Sequence, residues 1–429
     1  MLRVLYTTLL RLVLPIVAVL FWWRGRRDPV RRVNLRERMG RLPRRSGPQP
    51  VWVHAVSVGE VQAAAGLIRL LRERDPRRPV LLTMATATGR QRARELYRDP
   101  GVEQRFAPFD LPGAATRFLR AERPCLAILL ETELWPNLLS ACAREAVPAA
   151  MASARLSERS LRRYQGFAPG LMRRTLRLLS RIGAQGEADA ARFIALGADP
   201  ACVEVTGNVK FDVSLPADIE VRAEEVRKRW AGGRQCWVAG STHPGEEKQV
   251  LEAQRRLASE RAGIPPLLVM APRHPERFDA VAQWLGREGV SFVRRSDASA
   301  VVDAGTQVLL LDTLGELLGF YAAGDVAYVG GSLVPVGGHN LLEPASLGKP
   351  VVSGPHHFNS PEAASRLGAC GALQVVHDGS ALADAVGALL SDPEEAVRRG
   401  RAGREVVRLN RGAAARSLAL LAPWLPPLL

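Results

Sequence analysis

Short apolar runs alternate with helix-forming segments along the chain from residue 51 onward. The first series of runs lies at 51–57, 80–86, 125–132, 147–153, 181–186 and 203–208. A break at 212–216, DVSLP, ends this series, and a second follows at 236–242, 267–272, 290–295, 308–312, 326–332 and 350–355. Continuous apolar strands separated by helices indicate parallel sheets that are covered on both faces. The pattern therefore predicts an α/β protein with two doubly wound domains.

Polar, charged and glycine residues follow the predicted strands in both halves. In the first half they are Glu60, Glu131, Glu133 and Lys210, and in the second they lie at 241–243, 273–274, 312, 315–316 and 330–332. Because doubly wound sheets bind ligands beyond the carboxyl ends of their strands, we predict a site in a cleft between two facing domains. The histidines lack HxxxH or HxH spacing and the five cysteines lack CxxC spacing. We therefore expect no metal site and no disulfide framework.

The first 45 residues differ from the rest in hydropathy and charge. Residues 4–23 are interrupted by a single charge, Arg11, and twelve arginines against two acidic residues give 1–45 a net charge of +10 out of +16. An apolar run of about 20 residues followed by basic residues is typical of a membrane anchor at an anionic lipid surface. We predict an uncleaved anchor at 1–25, spanning or half-inserted. The alternative is an amphipathic helix packed on the protein itself.

The charge of the remaining chain argues against nucleic acid as a partner. Outside residues 1–45 the net charge is only +6 over 384 residues. A nucleic-acid-binding domain usually concentrates basic residues on one face or along one helix. We therefore expect no nucleic-acid partner.

Glu60 lies where a predicted strand ends and a helix begins, in the segment VWVHAVSVGEVQAAA at 51–65. Ser57 and Glu60 have the S-x-x-E spacing of a capping box, which is one interpretation. The other is a functional carboxylate whose pKa the apolar neighbours Val58 and Val61 raise toward neutrality by desolvation. We expect the two roles to exclude each other, because a side chain bonded back to Ser57 cannot point into a cleft.

Two segments of the second half suit a phosphate. In GGHNLLEP, at 337–344, two glycines open a helical pattern whose first N–H groups could meet an anion; the alternative is a plain turn. In PRHPER, at 272–277, an arginine directly after a strand offers bidentate donors to phosphate or carboxylate; the alternative is a solvated loop between two prolines.

Together these segments resemble the 3-deoxy-D-manno-octulosonic acid (Kdo) transferases, which add Kdo to the lipid A precursor of Gram-negative outer membranes. The resemblance covers essentially the whole chain. Its motifs are HAVSVGE (54–60), ETELWPN (131–137), ARLSERS (154–160), TGNVKFD (206–212), STHPGEE (241–247), APRHPERF (271–278), LDTLGEL (311–317) and GGSLVPVGGHNLLEP (330–344). So many long motifs in one order make the resemblance specific.

The resemblance implies a GT-B fold and an inverting glycosyltransferase. Its two Rossmann-like domains correspond to 26–212, for the acceptor, and 213–429, for CMP-Kdo, with the last helix a candidate to pack back on the first domain. Glu60 matches the general base, and Glu131 and Lys210 match residues that stabilise the transition state, although Lys210 could instead hold the carboxylate of the sugar. The positions that match the CMP site are Pro272, Arg273, Leu314, Gly315, Glu316, Asn340, Leu341, Leu342 and Glu343. The family often has Met at position 314 and Pro at position 341.

The implied partners are CMP-Kdo, the lipid A precursor (lipid IVA) and an anionic membrane surface, with no cofactor and no metal. The implied location is the cytoplasmic side of the inner membrane. Two alternatives compete with this interpretation. One is another GT-B enzyme that uses a UDP-sugar, such as a lipid A disaccharide synthase or an epimerase. The other is a non-catalytic, membrane-attached nucleotide-binding protein.

Overall fold

A computed structural model describes residues 2–27, 35–261 and 263–428 of the chain. The chain divides into two compact units. One is Met1–Asp212 together with Asn410–Leu429, and the other is Val213–Leu409. The segment 410–429, which the sequence assigned to the second domain with the option that its last helix returns, is thus grouped with the first unit.

The first unit is built on a seven-stranded parallel sheet. Its strands are β1 (Val51–His54), β2 (Val80–Met84), β3 (Val102–Phe106), β4 (Leu126–Leu130), β5 (Ala149–Ala154), β6 (Arg181–Ala184) and β7 (Val203–Val205). They are ordered β3-β2-β1-β4-β5-β6-β7, and every neighbouring pair is parallel. Five strands fall within the predicted apolar runs, and β5 ends one residue beyond its run. The edge strand β3 is missing from the prediction because its sequence, VEQRF, is polar and partly exposed at its centre.

Side chains of successive residues on these strands enter two different cores, as the alternation of a β-strand requires. Trp52 packs in one core, where its ring centroid lies 4.9 Å from that of Phe118. Its neighbour Val53 packs in the other core with Leu67. The helices of this part of the chain are α1 (Leu2–Arg27), α2 (Leu35–Arg38), α3 (Val58–Ala63), α4 (Ala65–Arg74), α5 (Ala87–Leu96), α6 (Pro112–Glu122), α7 (Pro136–Arg144), α8 (Glu158–Phe167), α9 (Pro169–Leu176) and α10 (Glu187–Leu196).

The second unit contains another seven-stranded parallel sheet. Its strands are β8 (Cys236–Thr242), β9 (Leu267–Pro272), β10 (Phe292–Arg294), β11 (Val308–Leu310), β12 (Val326–Val329), β13 (Val351–Ser353) and β14 (Leu373–Val375). They are ordered β10-β11-β9-β8-β12-β13-β14, with all pairs parallel. The helices are α11 (Ile219–Val226), α12 (Glu246–Glu260), α13 (Phe278–Arg287), α14 (Leu317–Ala323), α15 (Leu342–Ser346), α16 (Pro361–Ala369), α17 (Gly379–Ser391) and α18 (Pro393–Asn410). The predicted pair of doubly wound parallel sheets is confirmed, and in the second sheet the three-residue edge strand β14 lacks a counterpart in the prediction, as β3 does in the first.

The end of the chain packs within the first unit as α19 (Ala413–Leu421). Both carboxylate oxygens of Asp212 accept backbone N–H groups at its start, from Gly412 at 2.5 Å and from Ala414 at 2.6 Å. Farther along, the guanidinium of Arg78 donates to the carbonyl of Pro427 at 2.8 Å. These polar contacts, together with packing of α19 against α4, hold the returning segment.

The N-terminal helix α1 has two different sides. On one side, the Tyr6 hydroxyl donates to Asp110 at 2.7 Å and the Thr7 hydroxyl to Asn137 at 3.1 Å, and the helix contacts α7 and α9. On the other side, a stripe of aliphatic side chains is 60–69% exposed at Leu5, Leu9, Leu12, Ile16 and Val19. No helix in the described ranges is both long enough and apolar enough to cross a lipid bilayer. The side chains of the basic cluster at 24–32 lie outside those that the structure describes.

Candidate active site

In each sheet the strand order reverses at one point, and candidate residues lie there. In the first sheet β2 and β3 lie on one side of β1 and β4 to β7 on the other, so the reversal is between β1 and β4. In the second sheet it is between β8 and β12. Doubly wound sheets bind ligands in the crevice at the carboxyl ends of the strands that flank such a point. Glu60 follows β1, and Glu131 directly follows β4.

Glu60 forms a variant of the capping box, in which its carboxylate accepts the N–H of Val56 and not that of the N-cap Ser57. The Ser57 hydroxyl accepts the N–H of Glu60 at 3.3 Å and donates to its Oε1 at 2.8 Å, while the Val56 N–H donates to its Oε2 at 2.8 Å. The expectation that capping excludes catalysis stays a prediction, but the number of capping contacts does not support it. A carboxylate offers about four lone-pair sites, and the described contacts use two of them. The cap fixes the direction of the side chain and leaves acceptor capacity on both oxygens.

The surroundings of Glu60 favour its neutral form. The residue is 7% exposed. Burial raises the pKa of Glu60 to about 8, with further increases from the negative charges of Glu133 and Glu131; the bonds from Val56 and Ser57 oppose the rise. Desolvation raises the pKa of Glu60 as the sequence predicted. The neighbouring negative charges raise it further, which the sequence did not predict. A carboxyl group whose pKa is near neutrality can take a proton during a reaction and release it afterwards.

Glu131 and Lys210 are brought together as an ion pair. The Lys210 ammonium lies 2.6 Å from Oε1 of Glu131, and both side chains are mostly buried. Glu131 has a backbone φ of 54°, which is uncommon for a residue with a Cβ and typical of strained functional positions. Lys210 lies in a single 3-10 turn, Val209–Phe211, whose N-cap Asn208 accepts the Lys210 N–H at 3.0 Å.

A buried amide network positions this turn, and the sequence argument missed it. Asn208 donates to Oε1 of Gln185 at 3.3 Å, and the Gln185 amide donates to the Ser153 hydroxyl at 3.2 Å. Ser153 also has a positive φ, 52°, where the pairing of β5 with β6 is irregular. The network thus ties three separate strand ends to the turn that carries Lys210. Of these three residues only Asn208 lies in one of the quoted motifs, TGNVKFD, two residues before Lys210.

Glu133 is a third carboxylate in this cluster; the sequence placed it after a strand but gave it no role. Its Oε2 accepts the indole N–H of Trp135 at 2.6 Å, and burial, together with the charge of Glu131, raises the pKa of Glu133. The ring of His54 stands edge-on to Trp135 with 4.7 Å between centroids, and its Nδ1 lies 2.8 Å from the Thr83 hydroxyl. Burial lowers the pKa of His54 to about 3, so this imidazole is neutral. The signal for Glu133 was its place two residues after Glu131 in ETELWPN.

In the second unit, the buried carboxylate of Glu246 organises the loop after β12. Glu246 is 0% exposed. It accepts five hydrogen bonds of 2.7–3.0 Å, from the Tyr328 hydroxyl and from the backbone N–H groups of His243, Gly331, Ser332 and Leu333. The loop that closes the reversal point of the second sheet is therefore fixed by one side chain on the first turn of α12.

Three histidines meet beside this loop. Nε2 of His243 lies 2.8 Å from Nε2 of His339 with the rings nearly parallel, and His274 stands edge-on to His243. Burial lowers the pKa of His339 to about 3 and also lowers the pKa of His243. The charge of Arg273 contributes to both shifts, which brings this predicted residue close to the two rings. In the described parts of the chain, no group of three or more His, Cys, Asp or Glu side chains is arranged to hold a metal ion.

The predicted CMP residues occupy three loops of the second unit. Pro272 ends β9, and Arg273 follows with its N–H donating to the Thr242 carbonyl at 3.0 Å. Gly315 has a φ of 85°, and Leu314 beside it is 74% exposed. Glu316 accepts the guanidinium of Arg295 at 2.7 Å. These loops offer exposed backbone and charged groups to a ligand.

The third loop differs in one respect from its prediction. Gly337 and Gly338 have φ values of 108° and 72°, so they form a left-handed turn, and α15 begins only at Leu342 and has five residues. A helix of a single turn has only a small dipole, so binding of an anion here would depend on the loop and not on the helix. Asn340 accepts the Leu342 N–H and donates to Glu343, both at 3.1 Å. Leu341 and Leu342 are 1% and 2% exposed, so they can meet a ligand only through their backbone.

Comparisons with known proteins point to one family. Residues 33–213 match the family model described as 3-deoxy-D-manno-octulosonic-acid transferase (kdotransferase). The chain is 39% identical over 426 residues to the 3-deoxy-D-manno-octulosonic acid transferase of Haemophilus influenzae, with 99% of both chains covered. It is 40% identical over 434 residues to the enzyme of the same name from Bordetella pertussis, again with 99% of both covered.

Comparison with solved structures supports the fold assignment. The UDP-GlcNAc 2-epimerase from Neisseria meningitidis bound to UDP-GlcNAc superposes with a TM-score of 0.57 at 16% identity, covering 87% of this chain and 100% of that one. At this identity the match speaks for architecture alone. It agrees with the GT-B class, in which two Rossmann-like units are joined in one chain.

Proposed function

Because the chain belongs to the family of Kdo transferases, we propose that it moves Kdo from CMP-Kdo to the lipid A precursor lipid IVA, with inversion at the anomeric carbon. The observation that carries this proposal is Glu60, a buried carboxyl group with a pKa of about 8 at the reversal point of the first sheet. Beside it, Glu131 and Lys210 form an ion pair.

In the proposed reaction the acceptor hydroxyl oxygen forms a bond to C2 of Kdo while the bond from C2 to the CMP phosphate breaks. The hydroxyl proton passes to Glu60, and the electron pair of the broken bond leaves with CMP. A positioned base of this kind typically contributes 10²–10⁴-fold to the rate. The capping contacts from Val56 and Ser57 hold the carboxylate in one orientation, so little reorganisation is needed before the proton moves.

Charge that develops during transfer needs compensation on both substrates. Kdo carries its own carboxylate, and the departing CMP gains negative charge on its phosphate. We assign Lys210 to the charge near the sugar, because Glu131 and the buried amide network hold its ammonium in place. We assign Arg273 and the loop at 337–343 to the phosphate, because an arginine fork donates two parallel hydrogen bonds to an anion and because this loop follows β12 at the reversal point of the second sheet.

The acceptor is an amphiphile, and we propose that the enzyme meets it at the cytoplasmic face of the inner membrane through α1. Leu5, Leu9, Leu12, Ile16 and Val19 are spaced four and three residues apart, so they form one stripe along the helix. All five are at least 60% exposed. Exposed aliphatic stripes of this size are typical of helices that lie in the interface of a membrane.

The test is transfer by the purified full chain, with CMP-Kdo and a tetra-acylated lipid A precursor in detergent and products identified by mass. We expect products heavier than the acceptor by one or more Kdo units, and none with UDP-sugars as donors. Turnover of a UDP-sugar would overturn the donor assignment. Absence of transfer by well-folded protein, with CMP-Kdo still bound, would favour a non-catalytic binding protein.

A further inference from the structure

The helix pair α8 and α9 of the first unit carries a concentration of exposed positive charge that the proposed reaction does not use. Between residues 157 and 178 there are six arginines and a single acidic residue, Glu158. The arginines are Arg159, Arg162, Arg163, Arg173, Arg174 and Arg177, and all six are exposed. In the described part of the chain none of the six arginines forms an ion pair. The one acidic residue of this segment, Glu158, pairs with Arg192 instead.

A large aromatic side chain stands at the corner of the same helix pair. Phe167 is the last residue of α8 and is 90% exposed, more than any other large apolar side chain described. Arg159, Arg163 and Phe167 are spaced four residues apart, so they share one side of α8. The opposite side is anchored by Leu161, which is buried. One side of α8 thus combines guanidinium groups with an aromatic ring at its tip.

This surface is continuous with the N-terminal helix. Helix α9 contacts α1, and the backbone of Gly170 lies so close to α1 that an added Cβ would come within 3.3 Å of Leu2 Cδ1. Leu2 lies three residues before Leu5 and seven before Leu9, so it continues the aliphatic stripe, and the start of α9 therefore lies beside the N-terminal end of that stripe. Basic residues around an exposed aromatic group are the combination that binds anionic headgroups while inserting a ring among them.

We propose that α8 and α9 form a second membrane contact, specific for anionic phospholipid, with Phe167 inserted at the headgroup level. This inference rests on the proposed membrane association of the enzyme and adds a charge-selective component to it. The aliphatic stripe of α1 supplies binding that depends little on salt. The six arginines supply binding that requires anionic lipid and weakens as salt screens the charges.

The experiment compares variants of the full chain in sedimentation with phosphatidylcholine vesicles that contain or lack phosphatidylglycerol. In one variant Arg159, Arg163 and Arg174 are changed to Gln. A matched control changes Lys228, Arg287 and Arg401, three exposed basic residues of the second unit, to Gln. Each basic residue at an anionic surface changes binding roughly fivefold, so the first variant should bind anionic vesicles roughly a hundredfold more weakly at low salt. The control should bind within about threefold of wild type, although it loses the same charge.

Two further measurements separate this proposal from its alternatives. Phe167→Ser should weaken binding to anionic vesicles at low and high salt alike. In detergent micelles, transfer to the acceptor by the arginine variant should stay within about twofold of wild type, since these residues lie outside the candidate active site.

Three results would overturn the proposal. The first is equal binding of the arginine variant and the control to anionic vesicles. The second is an equal loss of binding to neutral vesicles. The third is a loss of transfer in micelles with vesicle binding intact, which would assign the arginines to the phosphates of the acceptor. Vesicle binding is measured without substrate, so its outcome does not depend on whether the proposed reaction is correct.

Discussion

Two buried glutamates occupy matching places in the two units, yet their surroundings differ. Glu60 comes after β1 and Glu246 after β8, and each strand flanks the reversal point of its sheet. Both side chains are nearly inaccessible, with exposures of 7% and 0%. Glu60 accepts two hydrogen bonds from the described residues, whereas Glu246 accepts five.

The difference suggests a criterion for buried carboxylates: the number of hydrogen bonds that a carboxylate accepts distinguishes a candidate for proton transfer from a group with a structural function. Five donors saturate the oxygens of Glu246, and four of them are backbone N–H groups. Its function is to hold the loop from Gly331 to Leu333. Glu60 keeps unused lone pairs and lies among like charges, so its ionised form is costly and its proton exchangeable.

The variant Glu60→Gln should show the largest effect of the difference between the two glutamates, a loss of activity. A capping box accepts Gln as well as Glu, so the amide should preserve the fold while removing the base. We expect kcat/KM to fall by about 10²–10⁴-fold. The control is Ser57→Ala, which removes the cap at a cost of about 1 kcal/mol in the free energy of unfolding but leaves the carboxylate in place. Full activity of the Glu60→Gln variant would show that Glu60 acts only as a helix cap.

A second test follows from the pKa of Glu60. Since only the ionised form accepts a proton, kcat/KM should rise about tenfold per pH unit well below pH 8 and level off above it, roughly a hundredfold from pH 6 to the plateau. Stability should change in the opposite direction. The pKa is raised from 4.5 to about 8. The neutral carboxyl group therefore contributes stability that is fully present below pH 4.5 and is lost as the pH rises through 8.

Both pH profiles can be measured on the same protein, by initial rates and by denaturant unfolding. In Glu60→Gln the contribution of this group to the pH dependence of unfolding should disappear. A rate that is flat from pH 6 to 9 in the wild-type enzyme, with chemistry shown to be rate-limiting, would contradict a titrating base at this position.

The structural side of the comparison is tested by Glu246→Gln. An amide presents one oxygen and one NH₂ group, so in either orientation two of the four backbone N–H groups that Glu246 accepts would face a donor. We expect the free energy of unfolding of the second unit to fall by about 2 kcal/mol or more, and binding of CMP to weaken with it. Glu252→Gln, an exposed change on the same helix, should alter stability by less than about 0.5 kcal/mol. Unchanged unfolding of Glu246→Gln would show that the five hydrogen bonds contribute little.

The contrast also shows what the sequence could and could not predict. Apolar runs such as that of β4 identify central strands because burial on both faces requires them, and Glu60 and Glu131 were found because they end such strands. Glu246 looks in sequence like an ordinary acidic residue on the first turn of a helix. Its function becomes visible only when β12 is placed beside β8.

The same limit applies to the network behind Lys210. Ser153, Gln185 and Asn208 are separated by more than twenty residues from one another, and each would be an unremarked polar residue at a strand end. Contacts of this kind depend on strand order, which local periodicity does not encode. The motif resemblance supplied the residues that we propose act on substrates, and the structure supplied the residues that hold them in place.

The smallest expected effect concerns Glu133, and it tests whether charge neighbours tune Glu60 as burial does. Burial is the larger cause of the raised pKa of Glu60, and the charge of Glu133 comes next. Glu133→Gln should therefore move the midpoint of the pH–rate profile to lower pH and increase kcat/KM near pH 7, while the plateau above pH 8 stays close to that of wild type. The amide oxygen can still accept the indole N–H of Trp135, so this contact is kept. A lower plateau with an unshifted midpoint would instead mean that Glu133 positions substrate, and the contrast between the two buried glutamates would then rest on burial and unused lone pairs alone.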